Sequence, residues 1–128
     1  MKKRLTFHDN GKMAFSTISY NALVAAMRRY FPHEAAWQDP EADNCVWVTL
    51  PSEVDTRELL EWAEWQGITF VPAEGSHQGT YNALGLYYTH LPVEEIEEGI
   101  RRLAEIINKY RYLAQQYREA SLLSFVGP

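Results

Sequence analysis

From Pro92 onward the chain carries one long apolar stripe. Val93, Ile96, Ile100, Leu103, Ile107 and Tyr110 recur at the three- and four-residue spacing of a single helical face. Such a stripe has to be buried against other elements, so the rest of the chain must supply a surface that covers it. Glu94, Glu95, Glu97 and Glu98 stand in the opening turns, where the positive end of the helix dipole favours them. Glu97 with Arg101 and Glu98 with Arg102 form favourably ordered pairs one turn apart, each worth roughly a few tenths of a kcal/mol on a solvated face. The pattern runs on through Tyr112, Leu113 and Tyr117 to about Ala120.

Upstream, Tyr20, Leu23, Val24, Met27, Tyr30 and Phe31 have the same periodicity, with Ser16 or Ser19 as N-cap and Pro32 as terminator. Ala35 to Gln38 reads as a short strand. Asn44 to Leu50 reads as a stronger one with both faces buried, because Val46, Trp47, Val48 and Thr49 are β-branched or aromatic. Asp55-Thr56-Arg57-Glu58 has capping-box spacing and opens a helix that ends at Gly67, a residue suited to the left-handed position. Its apolar residues include Leu59, Leu60, Trp62 and Ala63, with Trp65 one turn beyond Trp62 in the core or at an interface. Ile68 to Val71, closed by Pro72, and Ala83 to Tyr88 complete the strands, and a polar, glycine-containing loop joins them. The order of elements predicts an α+β fold with a three- to four-stranded, mainly antiparallel sheet and helices packed on one face. Residues 1–15, with the turn-like Asp9-Asn10-Gly11, read as an arm or short hairpin, 16–120 as the domain and 121–128 as an apolar tail.

A chain of 128 residues with one cysteine is the size of one domain, and it cannot form an internal disulfide or a cysteine zinc cluster. The net charge of −5 and the lack of clustered Lys and Arg exclude a phosphate-tracking surface, so no nucleic-acid partner is expected. Lys2-Lys3-Arg4 is followed by polar residues where a signal peptide would need an apolar run, and the eight-residue tail is too short to span a bilayer. A cytoplasmic protein with no membrane contact is the expectation.

Three separated stretches carry a resemblance: Trp47-Val48-Thr49-Leu50-Pro51, Val54-Asp55-Thr56-Arg57-Glu58-Leu59-Leu60, and Gly67-Ile68-Thr69-Phe70-Val71-Pro72. With Tyr30-Phe31-Pro32, Asn82-Ala83-Leu84, Leu86 and Glu94 to Ala104 they follow the same order and spacing over roughly residues 18–108. In these segments the chain resembles the small C-terminal domain of fold-type-I, pyridoxal-phosphate-dependent aminotransferases, in the aminoadipate and multi-substrate group. The resemblance implies a domain that closes over a cofactor held by a larger domain. That larger domain would carry the Schiff-base lysine and the aspartate paired with the pyridine nitrogen, which make the cofactor an electron sink. Lys2, Lys3, Lys12 and Lys109 read as solvated charges, so no cofactor is expected to be held by this chain on its own.

Two departures from the family pattern matter. After the Asn-x-x motif the family has an arginine that clamps the substrate carboxylate through paired hydrogen bonds, and here the position is Gly85. The stretch Glu41-Ala42-Asp43-Asn44 stands where relatives have a glycine pair. The resemblance therefore implies a degenerate, stand-alone small domain that does not transaminate by itself.

Candidate chemistry centres on Glu74, His77 and Tyr81 in the polar loop and on Tyr88 at the end of the last strand. A histidine beside a carboxylate can serve as acid or base near neutral pH, although a polar loop also carries both for solubility. Alternation sends Tyr87 and Tyr88 to opposite sheet faces. His8, His33, His77 and His90 lack metal-ligand spacing, and Cys45 lies in an apolar strand as an inert residue. Three readings stay open. The chain is a binding module that forms a homodimer or takes a protein partner on its exposed sheet face. Alternatively it is a small acid–base enzyme acting on an amino-acid-like ligand, or part of a split or excised aminotransferase.

Overall fold

The computed structural model describes residues 4–8, 16–38, 44–73 and 81–126, with side chains described as far as 120. In chain order the elements are β1 (Leu5–Thr6), α1 (Thr17–Tyr30), β2 (Ala36–Trp37), β3 (Cys45–Thr49), α2 (Thr56–Trp65), β4 (Ile68–Thr69), β5 (Val71–Pro72), β6 (Ala83–Tyr87) and α3 (Val93–Val126). Strands β2, β3, β6 and β5 lie side by side in that order, all antiparallel. The expected α+β layering is what forms.

Register decides which side of the sheet is buried. Val46 pairs with Leu86 and Val48 with Leu84, and all four are fully buried among residues of the helices such as Leu23, Met27, Ile96 and Ile100. On the other face Trp47 pairs with Gly85 and Thr49 with Ala83. Trp47 is 48% exposed there, so the expectation that both faces of β3 are covered is corrected. Period-two alternation with one dry and one open face is ordinary in an antiparallel sheet.

Within the N-terminal segment, residues 4–8 are paired with the rest of the fold. Leu5 pairs with Ile68 and Thr6 with Thr69 in a parallel two-stranded ladder, and the Phe7 carbonyl accepts from the Tyr87 N–H at 3.0 Å. Leu5 and Phe7 are core residues, and the ring of Phe7 lies against Gly99 of α3. The predicted strand from Ile68 to Val71 is two short strands in different sheets, parted at the buried Phe70. Pro72 sits inside β5, an edge strand, where a missing N–H costs no ladder bond. The Asp9-Asn10-Gly11 turn lies outside the described residues.

Ser16 is the N-cap of α1, its hydroxyl accepting from the Ser19 N–H at 3.2 Å. Asp55 caps α2, and Gly67 beyond it takes φ +79°, as its place after the helix requires. Arg101 pairs with Glu98 and Glu105, while Arg102 turns inward instead of meeting Glu98. Its guanidinium donates to the Gln66 carbonyl at the C-terminal end of α2, where carbonyls lack helical partners and a cation suits the dipole. Helix α3 continues without a break through Val126, past the expected boundary at residue 120.

Candidate functional site

The open face of the sheet is built around one cross-strand pair. Because Gly85 has no side chain, the six-membered ring of Trp47 can lie directly over its backbone. A Cβ at position 85 would stand 3.0–3.1 Å from three atoms of that ring. Val71 opposes Gly85 from the other side, and Ala83 and Tyr87 share the face, both half-buried. The result is an aromatic shelf over a bare strand. The guanidinium that the resemblance would place here is absent, and the space into which it would project is occupied by indole. Sequence reading identified Gly85 but missed Trp47 as its neighbour, because register across strands is not legible from either residue alone.

A second cluster is polar and sits where α2 begins. The Asp55 carboxylate accepts from the Arg57 N–H at 2.9 Å and forms paired bonds with the Arg57 guanidinium at 3.0 and 2.8 Å. Those side-chain bonds hold its carboxyl below the usual range despite partial burial. The guanidinium also stacks on the Tyr81 ring at 3.5 Å from its centroid. Buried Thr56 joins α2 to β6: its hydroxyl reaches the carbonyl oxygens of Tyr81 and Ala83 at 2.8 and 2.9 Å. Behind it the Tyr110 hydroxyl donates to Glu58 at 2.7 Å. Burial first, then the Glu58 carboxylate, push the Tyr110 hydroxyl up to about 12.

Of the four candidate residues, Glu74 and His77 lie outside the described residues. Tyr81 and Tyr88 flank β6 at its two ends, so the strand's five residues hold them roughly 20 Å apart along the chain. Tyr88 is fully buried, with its ring 6.4 Å from that of Tyr20, whereas Tyr81 is half-buried under Arg57. These two tyrosines therefore do not converge. The expected division of Tyr87 and Tyr88 between faces is what the burial pattern gives. Among the described residues no group of three His, Cys, Asp or Glu side chains could hold a metal ion. His90 instead donates through Nε2 to the Thr6 carbonyl at 2.7 Å, and Cys45 is buried.

The described residues do not fit a pyridoxal-phosphate group. The one lysine among them, Lys109, lies in a groove between α2 and α3, away from the sheet face, and the shelf at Gly85 offers no charge for a carboxylate.

No family model matches the chain. Individual proteins do. An aromatic-amino-acid aminotransferase of Thermococcus litoralis is 38% identical over 91 residues, 70% of this chain and 22% of that protein. A 2-aminoadipate transaminase of Thermus thermophilus is 32% identical over 88 residues, 67% of this chain and 22% of its own length. Among solved structures, a multiple-substrate aminotransferase from Thermococcus profundus superposes with a TM-score of 0.66 at 37% identity, covering 72% of this chain and 23% of the other. An α-aminoadipate aminotransferase from Thermus thermophilus, bound to a phosphopyridoxyl-leucine adduct, gives 0.67 at 30% identity over 75% of this chain and 25% of the other. The chain thus spans about a quarter of the length of the relatives it matches. Sequence and fold agree that it belongs with the pyridoxal-phosphate-dependent aminotransferases, as an aminotransferase-like domain equivalent to that quarter.

Proposed function

We propose that this domain is a binding module that does not transaminate by itself, and that a protein partner covers the open sheet face around Trp47. The observation that carries the reading is the Trp47 ring lying across Gly85. An amino-acid substrate needs a cationic clamp for its carboxylate, and an indole on a glycine backbone supplies none. What the face offers instead is apolar area: a half-exposed tryptophan flanked by Val71, Ala83 and Tyr87, the kind of rigid aromatic anchor that dominates protein interfaces. The absence of any lysine from that face among the described residues supports the same view. No helix among the described residues is long and apolar enough to cross a membrane, and a cytoplasmic setting is part of the proposal.

The test has two arms. The purified chain, mixed with pyridoxal phosphate, an amino acid and a 2-oxo acid, should give neither Schiff-base absorbance nor exchanged product. A photo-crosslinking residue at position 47, introduced in cells, should trap a defined protein, and the same residue at the exposed Ile18 should not trap it. Turnover by the chain alone, or no trapped protein at position 47, overturns the reading.

A further inference from the structure

Residues 4–8 are seated the way a separate peptide strand would be. The Leu5 and Phe7 N–H groups donate to the Gly67 and Thr69 carbonyls at 2.8 and 2.9 Å. The Thr6 carbonyl accepts from His90 Nε2 at 2.7 Å, and the Phe7 carbonyl from the Tyr87 N–H at 3.0 Å. Leu5 and Phe7 are buried, whereas Arg4, Thr6 and His8 are exposed. Main-chain bonds with alternate side chains in pockets are how a sheet edge takes up an extended peptide. The pocket for the ring depends on a missing side chain in α3. A Cβ at Gly99 would stand 2.6 Å from two atoms of the Phe7 ring and 3.4 Å from Leu5 Cδ1.

Three features make this strand removable. Strands β1 and β4 form a two-stranded sheet of their own, so the four-stranded sheet keeps every ladder bond if the segment leaves. Helix α1 packs directly on α3 and does not need the segment as an intermediary. The seat is also incompletely satisfied: Thr69 and His90, which hold the segment, each keep a buried side-chain atom, Oγ1 and Nδ1, with no hydrogen-bond partner among the described residues.

We infer that the slot between β4, the end of β6 and Gly99 is an exchangeable docking site for an extended Leu-x-Phe strand, and that its occupant in trans is the segment 4–8 of a second copy. The observed occupant carries the argument. Because the segment is the same in every copy, that of a second copy makes the same bonds and fills the same pockets, which is the condition for strand exchange between protomers. Attachment to Ser16 through residues 9–15 favours the chain's own segment by an effective concentration on the order of millimolar. Exchange is therefore a minority event until the chain's own segment is weakened.

Amide exchange in the wild-type chain should show Leu5 and Phe7 opening roughly tenfold or more often than Ile100 and Leu103. A fluorescent peptide of residues 1–9 should bind the Phe7→Ala chain at least roughly tenfold more tightly than the wild type, whose slot is filled, and should raise that variant's urea midpoint. The same peptide carrying Phe7→Ala should do neither, and adding Trp47→Ala to the chain should alter neither result. Leu5→Ala provides the same comparison if Phe7→Ala does not fold. To test exchange between copies, the Gly99→Ala chain, with an intact segment and a narrowed slot, is mixed with the Phe7→Ala chain, with an intact slot and a truncated segment. Sedimentation should then show a heterodimer that neither chain forms alone. Leu5 and Phe7 amides that exchange only on global unfolding overturn the inference, and so does a folded variant chain that ignores the peptide. Peptide binding without a heterodimer overturns the second copy as donor.

Discussion

The Tyr110 hydroxyl donates to Glu58 at 2.7 Å and accepts from the Asp55 N–H at 3.4 Å, standing between the two groups that a capping box joins directly. The spacing Asp55 to Glu58 predicts that Glu58 reaches back to the Asp55 N–H, and here a hydroxyl from α3, more than fifty residues away in sequence, relays that contact. The relay ties α2 to α3, and Trp62 packs edge-on against the same ring at 5.2 Å. Tyr110→Phe keeps the ring and removes the relay. It should destabilise the fold by about 1–2 kcal/mol, because Glu58 loses its partner and the Asp55 N–H is left without one. Urea unfolding of the two proteins at neutral pH checks this.

The same hydroxyl makes stability depend on alkaline pH. It is held neutral in the folded chain up to about 12, against 10.0 for an ordinary tyrosine. A raised value means that the unfolded chain ionises first. The contribution is therefore complete below pH 10 and is lost as pH climbs through 10 towards 12, by something on the order of 2 kcal/mol. Denaturation midpoints should fall across that interval in the wild type, and the component due to this group should be missing in Tyr110→Phe.

Gly85 and Trp47 should behave as one unit. Gly85→Arg places a Cβ against the indole, so it should cost about 1–3 kcal/mol, as overpacking does, unless the ring swings into solvent. Trp47→Ala alone loses the apolar cover over the strand. Combined with Gly85→Arg it should cost clearly less than the sum, with a coupling of about 0.5–3 kcal/mol in a double-mutant cycle. Strict additivity of the unfolding free energies would mean that the two residues do not touch.

Much of this fold was legible because some elements repeat a period long enough to read. The stripe of α3, the caps at Ser16 and Asp55 and the left-handed Gly67 all follow from local chemistry, and each stands where expected. Two-residue strands have no period, so the parallel pairing of β1 with β4 and the division around Phe70 could not be read. Arg102 looked like the partner of Glu98, because an acid one turn earlier is a local cue and the Gln66 carbonyl is a tertiary one. The candidate site divides in the same way. Gly85 was visible as a missing arginine, but the indole that fills its place depends on register between β3 and β6. Of the two places expected for Trp65, the core is ruled out, because α2 buries Leu59 and Ala63 and turns its final turn outward.

Gly99 gives the sharpest conflict between local preference and packing. A glycine in a helix interior costs roughly 1 kcal/mol relative to alanine, so propensity alone says that Gly99→Ala should stabilise α3. The Cβ it would add, however, stands 2.6 Å from two ring atoms of Phe7, which is fully buried and belongs to the segment that pairs with β4. Neither the ring nor the helix has room to yield in a close-packed core. Overpacking should win, and Gly99→Ala should lower stability by about 1–3 kcal/mol. It should also loosen residues 4–8, seen as faster amide exchange at Leu5 and Phe7, whose N–H groups donate to the Gly67 and Thr69 carbonyls at 2.8 and 2.9 Å. Phe7→Leu in the same chain removes the clashing ring atoms and should recover part of the loss, although Phe7→Leu alone destabilises. If Gly99→Ala instead raises the urea midpoint, helix propensity outweighs the contact, and the segment from Arg4 to His8 is not held against α3.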